Sequence, residues 1–271
     1  MADAWDAKLR TAALFTLFIP LAFSEDFVQA AAAGGRWQEP AWLFVVVDAL
    51  LLGVLAALLL ALGRAAVPWR GYALGAGLYL ALDVVSWQAP DGWRDRFLFV
   101  IPMSLAYVAL LVLFAALLFP AESPRSRLST LTPLALGTFA AYIGAEYWDA
   151  LSRGAGDAPQ TISQEYFAQA SQVIPLLLIA IGFEARFFQR YASQPLGRAV
   201  TIVTVAVLCI GGAMALTTLP MQSRAGAAGG WYEYAAFVIS LEGASVGFAM
   251  LFVALISLVN VQRPAPPATD S

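Results

Sequence analysis

The chain has 271 residues, 61% of them hydrophobic and 12% charged, with a formal net charge of −3 and a mean hydropathy of +0.74. Soluble domains carry about 25% charged residues, so this composition excludes a water-soluble globule, and no nucleic-acid partner is expected. The absence of His and the single Cys209 exclude His-based zinc hydrolases, His-ligated haem, Ser-His-Asp chemistry and any intramolecular disulfide.

Apolar runs near the roughly 20 residues that cross a bilayer recur along the whole chain. No period-2 alternation points to a barrel. The reading is an all-α polytopic membrane bundle of eight transmembrane helices. The first segment covers residues 9–33 and is interrupted by Ser24, Glu25 and Asp26. Its alternative is a signal peptide, with Lys8 and Arg10 before an apolar core and a small-x-small site at Ala22-Phe23-Ser24, although Asp3 and Asp6 are atypical of such a leader. The second segment (41–63) has Asp48 as its only charge. The third (71–88) carries Asp83 and is closed by Pro90, and the fourth (97–119) stops at Pro120.

Residues 121–130 form a polar linker, which divides the chain into a first half of four helices (1–120) and a second half (131–260). Within the second half the segments fall at 131–151, 161–183, 199–219 and 231–259, with a kink expected in the sixth at Pro175. A Pro-rich tail (261–271) closes the chain and is expected to be disordered. Residues 99–119 align without gaps on 237–257, placing Phe99 on Phe237 and Phe114 on Phe252. Phe18 and Glu25 have the same spacing as Phe139 and Glu146. Four helices per half would make such repeats parallel.

Orientation follows from Lys and Arg. With eight spans, ten of the fifteen basic residues fall on the side of both termini and five on the other. That bias makes both termini cytoplasmic in a bacterial inner membrane. Trp37, Trp42, Trp87, Trp93, Trp148 and Trp231 all then lie at the outer interface, where indole rings anchor well.

The acids are the chemistry of this sequence. At 1.5 Å per residue, Asp48 and Asp83 each lie roughly 10 Å below the outer surface. Glu25, Glu146 and Glu165 fall at similar depth by the same count, and Glu242 lies deeper. Glu165, Gln169 and Gln172 stand at i, i+4 and i+7, on one helix face. Such a face should turn to other helices or to water. No Lys or Arg lies inside the spans at that depth. The acids are therefore expected to be protonated, to line an outward vestibule, or to hold a hard cation through oxygen ligands. The plainer alternatives differ by residue. Glu25 and Glu146 are near enough to helix ends to be solvated at the interface, and Glu165 can stabilise a helix N-terminus. Glu242, in the small-residue stretch 240–245, can be interhelical glue. Gln169 and Gln172 can be interhelical hydrogen-bond partners, and Tyr79 and Tyr107 read as packing residues.

Residues 168–186 (AQASQVIPLLLIAIGFEAR) resemble a segment of uncharacterised multi-pass membrane proteins of GC-rich bacteria. The resemblance covers about one helix and implies an inner-membrane location without an activity. Phosphate-loop, dinucleotide and nucleophile-elbow motifs are absent. The leading functional expectation is proton- or cation-linked transport, or ion binding, through an outward acidic cavity built from Asp48, Asp83, Glu146, Glu165, Glu242, Gln169, Gln172 and Glu25. The rival is a structural or assembly subunit, in a homo-oligomer or with a membrane-protein partner. A second alternative is a membrane enzyme acting on lipid with paired carboxylates, although no nucleophile or His base is evident.

Overall fold

A computed structural model describes residues 2–33, 42–62, 68–89, 97–119, 123–154, 162–184, 189, 191–222 and 230–261. Among them there are helices and no strand. The order is α1 (Ala2–Thr16), a π-helical turn (Leu17–Leu21), α2 (Ser24–Ala33), α3 (Leu43–Ala61), α4 (Trp69–Gln88) and α5 (Phe97–Leu118). There follow α6 (Pro124–Gly154), α7 (Gln164–Phe183), α8 (Pro195–Gln222) and α9 (Gly230–Val261). Six helices are long and apolar enough to cross a membrane: α3, α5, α6, α7, α8 and α9. The tail and most loop arginines used for the orientation lie outside the described residues.

Burial runs inside out relative to a soluble protein. In α3, Asp48 is 2% exposed while Leu50 is 65% exposed. In α4, Tyr72, Gly75, Tyr79 and Asp83 form the buried stripe, and Leu74, Leu78 and Val85 face outward. An acid turned inward and leucines turned outward is the arrangement an apolar solvent selects.

The first segment lies at the centre. Ala13, Leu14, Leu17, Phe18 and Leu21 are fully buried, between α3, α5 and α8. Pro20 has no N–H to donate and sits inside the π-helical turn, so the helical ladder is broken there. Two carbonyls at the break find other donors. The Tyr79 hydroxyl donates to Leu21 O at 2.7 Å, and the Tyr142 hydroxyl donates to Ala22 O. Ala22, Phe23 and Ser24, the small-x-small site of the leader reading, are all buried here.

Around α9 the packing is close. It touches α6, α7, α8 and α2. Gly137 of α6 lies so near Val246 that a methyl group would overlap the α9 backbone. A methyl on Gly211 of α8 would come 2.8 Å from Ile239 O. Gly243 faces Val207 and Leu208 of α8. Small residues thus set the helix–helix distances, as expected of bundles assembled without a hydrophobic drive between helices.

In the second half, two helices start four or more residues earlier than the sequence reading. Helix α6 begins at Pro124, inside the predicted linker, because Ser123 caps it: Ser123 Oγ accepts from Ser126 N at 3.2 Å. Ser followed by Pro at the first helical position is a strong start signal. Helix α8 begins at Pro195, four residues before the predicted start, for the same proline reason. Pro175 lies inside a continuous α7. The repeat gains no support from burial, since Phe114 is 1% exposed and its aligned partner Phe252 is 57% exposed.

Candidate functional site

Asp48 enters from α3 and Asp83 from α4, and both line one cavity with Glu25 and Asp26 of α2. The cavity holds about 50 Å³, room for a little water and not for an organic solute. Among the described residues no Lys or Arg lines it. Its floor is aromatic: Tyr79 and Tyr107 meet edge to face at 5.0 Å, and Tyr107 stacks on Tyr142 at 5.8 Å.

The two aspartates are within hydrogen-bonding reach of each other, and Ser24 supplies a hydrogen bond to Asp48. The Tyr107 hydroxyl donates to Asp83 Oδ1 at 2.7 Å. One oxygen of each acid, Asp48 Oδ1 and Asp83 Oδ2, accepts from no described group. Two buried carboxyl groups side by side carry only acceptors when ionised. A proton between them, or a cation, is what such a pair requires.

The other predicted residues are distributed elsewhere. Asp26 lines the cavity and accepts from Tyr234 of α9 at 2.7 Å, which joins the cavity wall to the second half of the chain. Glu242 is 1% exposed but belongs to a separate contact. Its Oε1 accepts from Thr138 Oγ1 of α6 at 2.6 Å, and its Oε2 accepts from no described group. Glu165, Gln169 and Gln172 are exposed along one face of α7, so no described helix covers the face expected to turn to other helices or to water. Glu146 lies in α6, and its side chain is outside the described residues. Among the described acids, four line this cavity and the others do not. Asp48, Asp83, Glu25 and Asp26 cluster, while Glu242 and the α7 stripe stand apart.

No family model, curated protein or solved structure matches this chain. The resemblance of residues 168–186 accordingly adds no activity, and function has to be argued from the cavity itself.

Tyr107 packs against Tyr79 and Tyr142 as expected, and beyond that donates to Asp83. It and Ser104, one turn apart on α5, both line the cavity. The signal was elimination: with no basic residue in the spans, buried acids can take hydrogen bonds only from hydroxyl and amide groups. Ser24, immediately before Glu25, carried the same signal. Among the described residues, no three His, Cys, Asp or Glu side chains converge as a metal-binding set.

Proposed function

We propose that this is an integral membrane protein in which the Asp48–Asp83 pair takes up and releases a proton, as in proton-linked transport. The observation that carries the reading is the approach of two buried carboxyl groups to each other, each with an oxygen that accepts from no described group, in a cavity lined by no described Lys or Arg. The proton would be shared between the acids, with Tyr107 and Ser24 holding them in position. Glu25 and Asp26, closer to the helix-end surface, would connect the pair to the outer solution. A cavity of this size passes no solute, so transport requires a second, more open arrangement.

The eight-span topology belongs to the same proposal. Helix α4 is 20 residues long and turns Leu74, Leu78 and Val85 outward. The first segment, though broken at Pro20, runs from Ala2 to Ala33. Adding both to the six apolar helices gives eight crossings, with both termini cytoplasmic in a bacterial inner membrane. The two-half repeat rests on the sequence alignment alone.

Thermal unfolding of the purified protein in detergent, across pH and with Na⁺, Mg²⁺ or Ca²⁺, tests the reading. A shared proton is one that the folded state holds and the unfolded chain, with ordinary carboxyl groups, releases near neutrality. Its contribution is present at low pH and is lost as pH rises past the point where the pair deprotonates. Asp48→Asn and Asp83→Asn should each abolish that fall. Stabilisation by a cation at high pH, lost in both variants, would replace the proton by an ion.

A second reading, an assembly subunit, is favoured by one observation. Gln169 and Gln172 are exposed about 7 and 12 Å along a membrane helix from its outer end, where lipid offers no hydrogen bonds. Amide groups both donate and accept, so this stripe suits a second copy or another membrane helix. Cysteine cross-linking from Gln169→Cys in native membranes would detect the neighbour. A variant that only lipid-soluble reagents reach would remove this reading.

A further inference from the structure

A second concavity lies at the opposite end of the bundle. Val100 lines the acidic cavity and Phe119 lines this cleft. They are nineteen residues apart along α5 and its C-terminal end, about 28 Å at 1.5 Å per residue. The cleft, of about 780 Å³, opens between the first turns of α1 and α8.

Its chemistry is divided by depth. Lys8, Arg10 and Arg198 stand at the mouth, with Asp6 as the single carboxylate among the lining residues. Lys8 and Arg198 are exposed, and the Arg10 guanidinium is held 5.5 Å over the Phe119 ring. Deeper in, the walls become apolar: Phe15 from α1, and Ile202, Val203 and Ala206 from α8. From Arg198 to Ala206 the cleft follows one face of α8 for about 12 Å. This is the profile of an amphiphile with an anionic head.

We propose that the cleft between α1 and α8 binds an anionic phospholipid, its phosphate at Lys8, Arg10 and Arg198 and an acyl chain against Phe15, Ile202 and Ala206. Three observations select this occupant. Three cations against one carboxylate match an anion. An apolar wall continuing below them matches a chain and would be wasted on free phosphate. The cleft lies on the side where the basic residues of the sequence accumulate, the side that faces anionic lipid in a bacterial inner membrane. Arg10, already fixed by its ring contact, is pre-positioned for bidentate phosphate binding. The site is separate from the Asp48–Asp83 cavity, and its third argument rests on the orientation proposed above.

The test is thermal unfolding and native mass spectrometry of the full chain in neutral detergent. Phosphatidylglycerol, phosphatidylcholine of the same chains, and inorganic phosphate are added separately. Phosphatidylglycerol should raise the unfolding midpoint by several degrees beyond phosphatidylcholine and leave lipid adducts on the intact protein. The double variant Lys8→Gln/Arg198→Gln, at two exposed positions, should keep its midpoint in phosphatidylcholine and lose most of that difference. Ala206→Phe keeps the charges but fills the wall, and should lose it too. Equal effects of the two lipids would overturn the proposal. So would a full shift produced by inorganic phosphate, or an undiminished phosphatidylglycerol shift in the double variant.

Discussion

Asp83 and Tyr107 show how a buried acid can be held by a hydroxyl where no described residue is a basic partner. The tyrosine hydroxyl satisfies one carboxyl oxygen, and beside Asp48 one oxygen of each acid accepts from no described group. Removing the hydroxyl should therefore cost more than removing a charge. Tyr107→Phe is expected to destabilise the protein by about 1–3 kcal/mol, the cost of orphaning a buried acceptor. Asp48→Asn and Asp83→Asn preserve shape, remove a charge and supply an amide donor to the neighbouring oxygen. Each is expected to unfold in detergent at neutral pH at or above the wild-type midpoint. Glu242 offers a parallel case: Thr138→Val takes away the donor to Oε1 and should cost a similar 1–3 kcal/mol. A Tyr107→Phe midpoint equal to wild type would mean that Asp83 finds its donor elsewhere.

At the scale of elements, the bundle is set by glycines on three helices. Gly137→Ala and Gly211→Ala would drive a methyl group into the backbone of α9. Overpacking of this kind costs about 1–3 kcal/mol or more. Gly53 and Gly182 have open space where a Cβ would stand, so alanine there should be neutral or stabilising by up to about 1 kcal/mol through helix propensity. Denaturant unfolding of the four variants separates the two classes, and equal behaviour would show that the glycine contacts do not set the helix spacing. The helices themselves were readable from the sequence because hydrocarbon length and apolar composition specify them directly. The inward aim of Asp48 and Asp83 was readable too, since each has apolar neighbours on both sides and no basic partner. The break at Pro20 was not read, because its effect depends on Tyr79 and Tyr142 arriving from distant helices. The start of α6 at Pro124 was legible in Ser123-Pro124 but hidden by the polar composition of the linker. The destination of the α7 stripe was not legible: periodicity places three polar residues on one face but does not say what covers them.

For the whole molecule, polarity is distributed by end. The acidic cavity occupies one end and the basic cleft the other, joined by an aromatic and aliphatic core in which the first segment is buried. A reporter fused after residue 270 should therefore read cytoplasm, and one inserted at 153–159 the exterior; both on one side would contradict eight crossings. The central claim, that Asp48 and Asp83 share a proton inside this core, is tested most directly by infrared difference spectroscopy of the purified protein between neutral and alkaline pH. The account predicts a carbonyl stretch of a protonated carboxylic acid at neutral pH that shifts in D₂O, is lost in the Asp48→Asn/Asp83→Asn double variant and survives Glu242→Gln. A spectrum without such a band, or one whose band the double variant leaves unchanged, would contradict it.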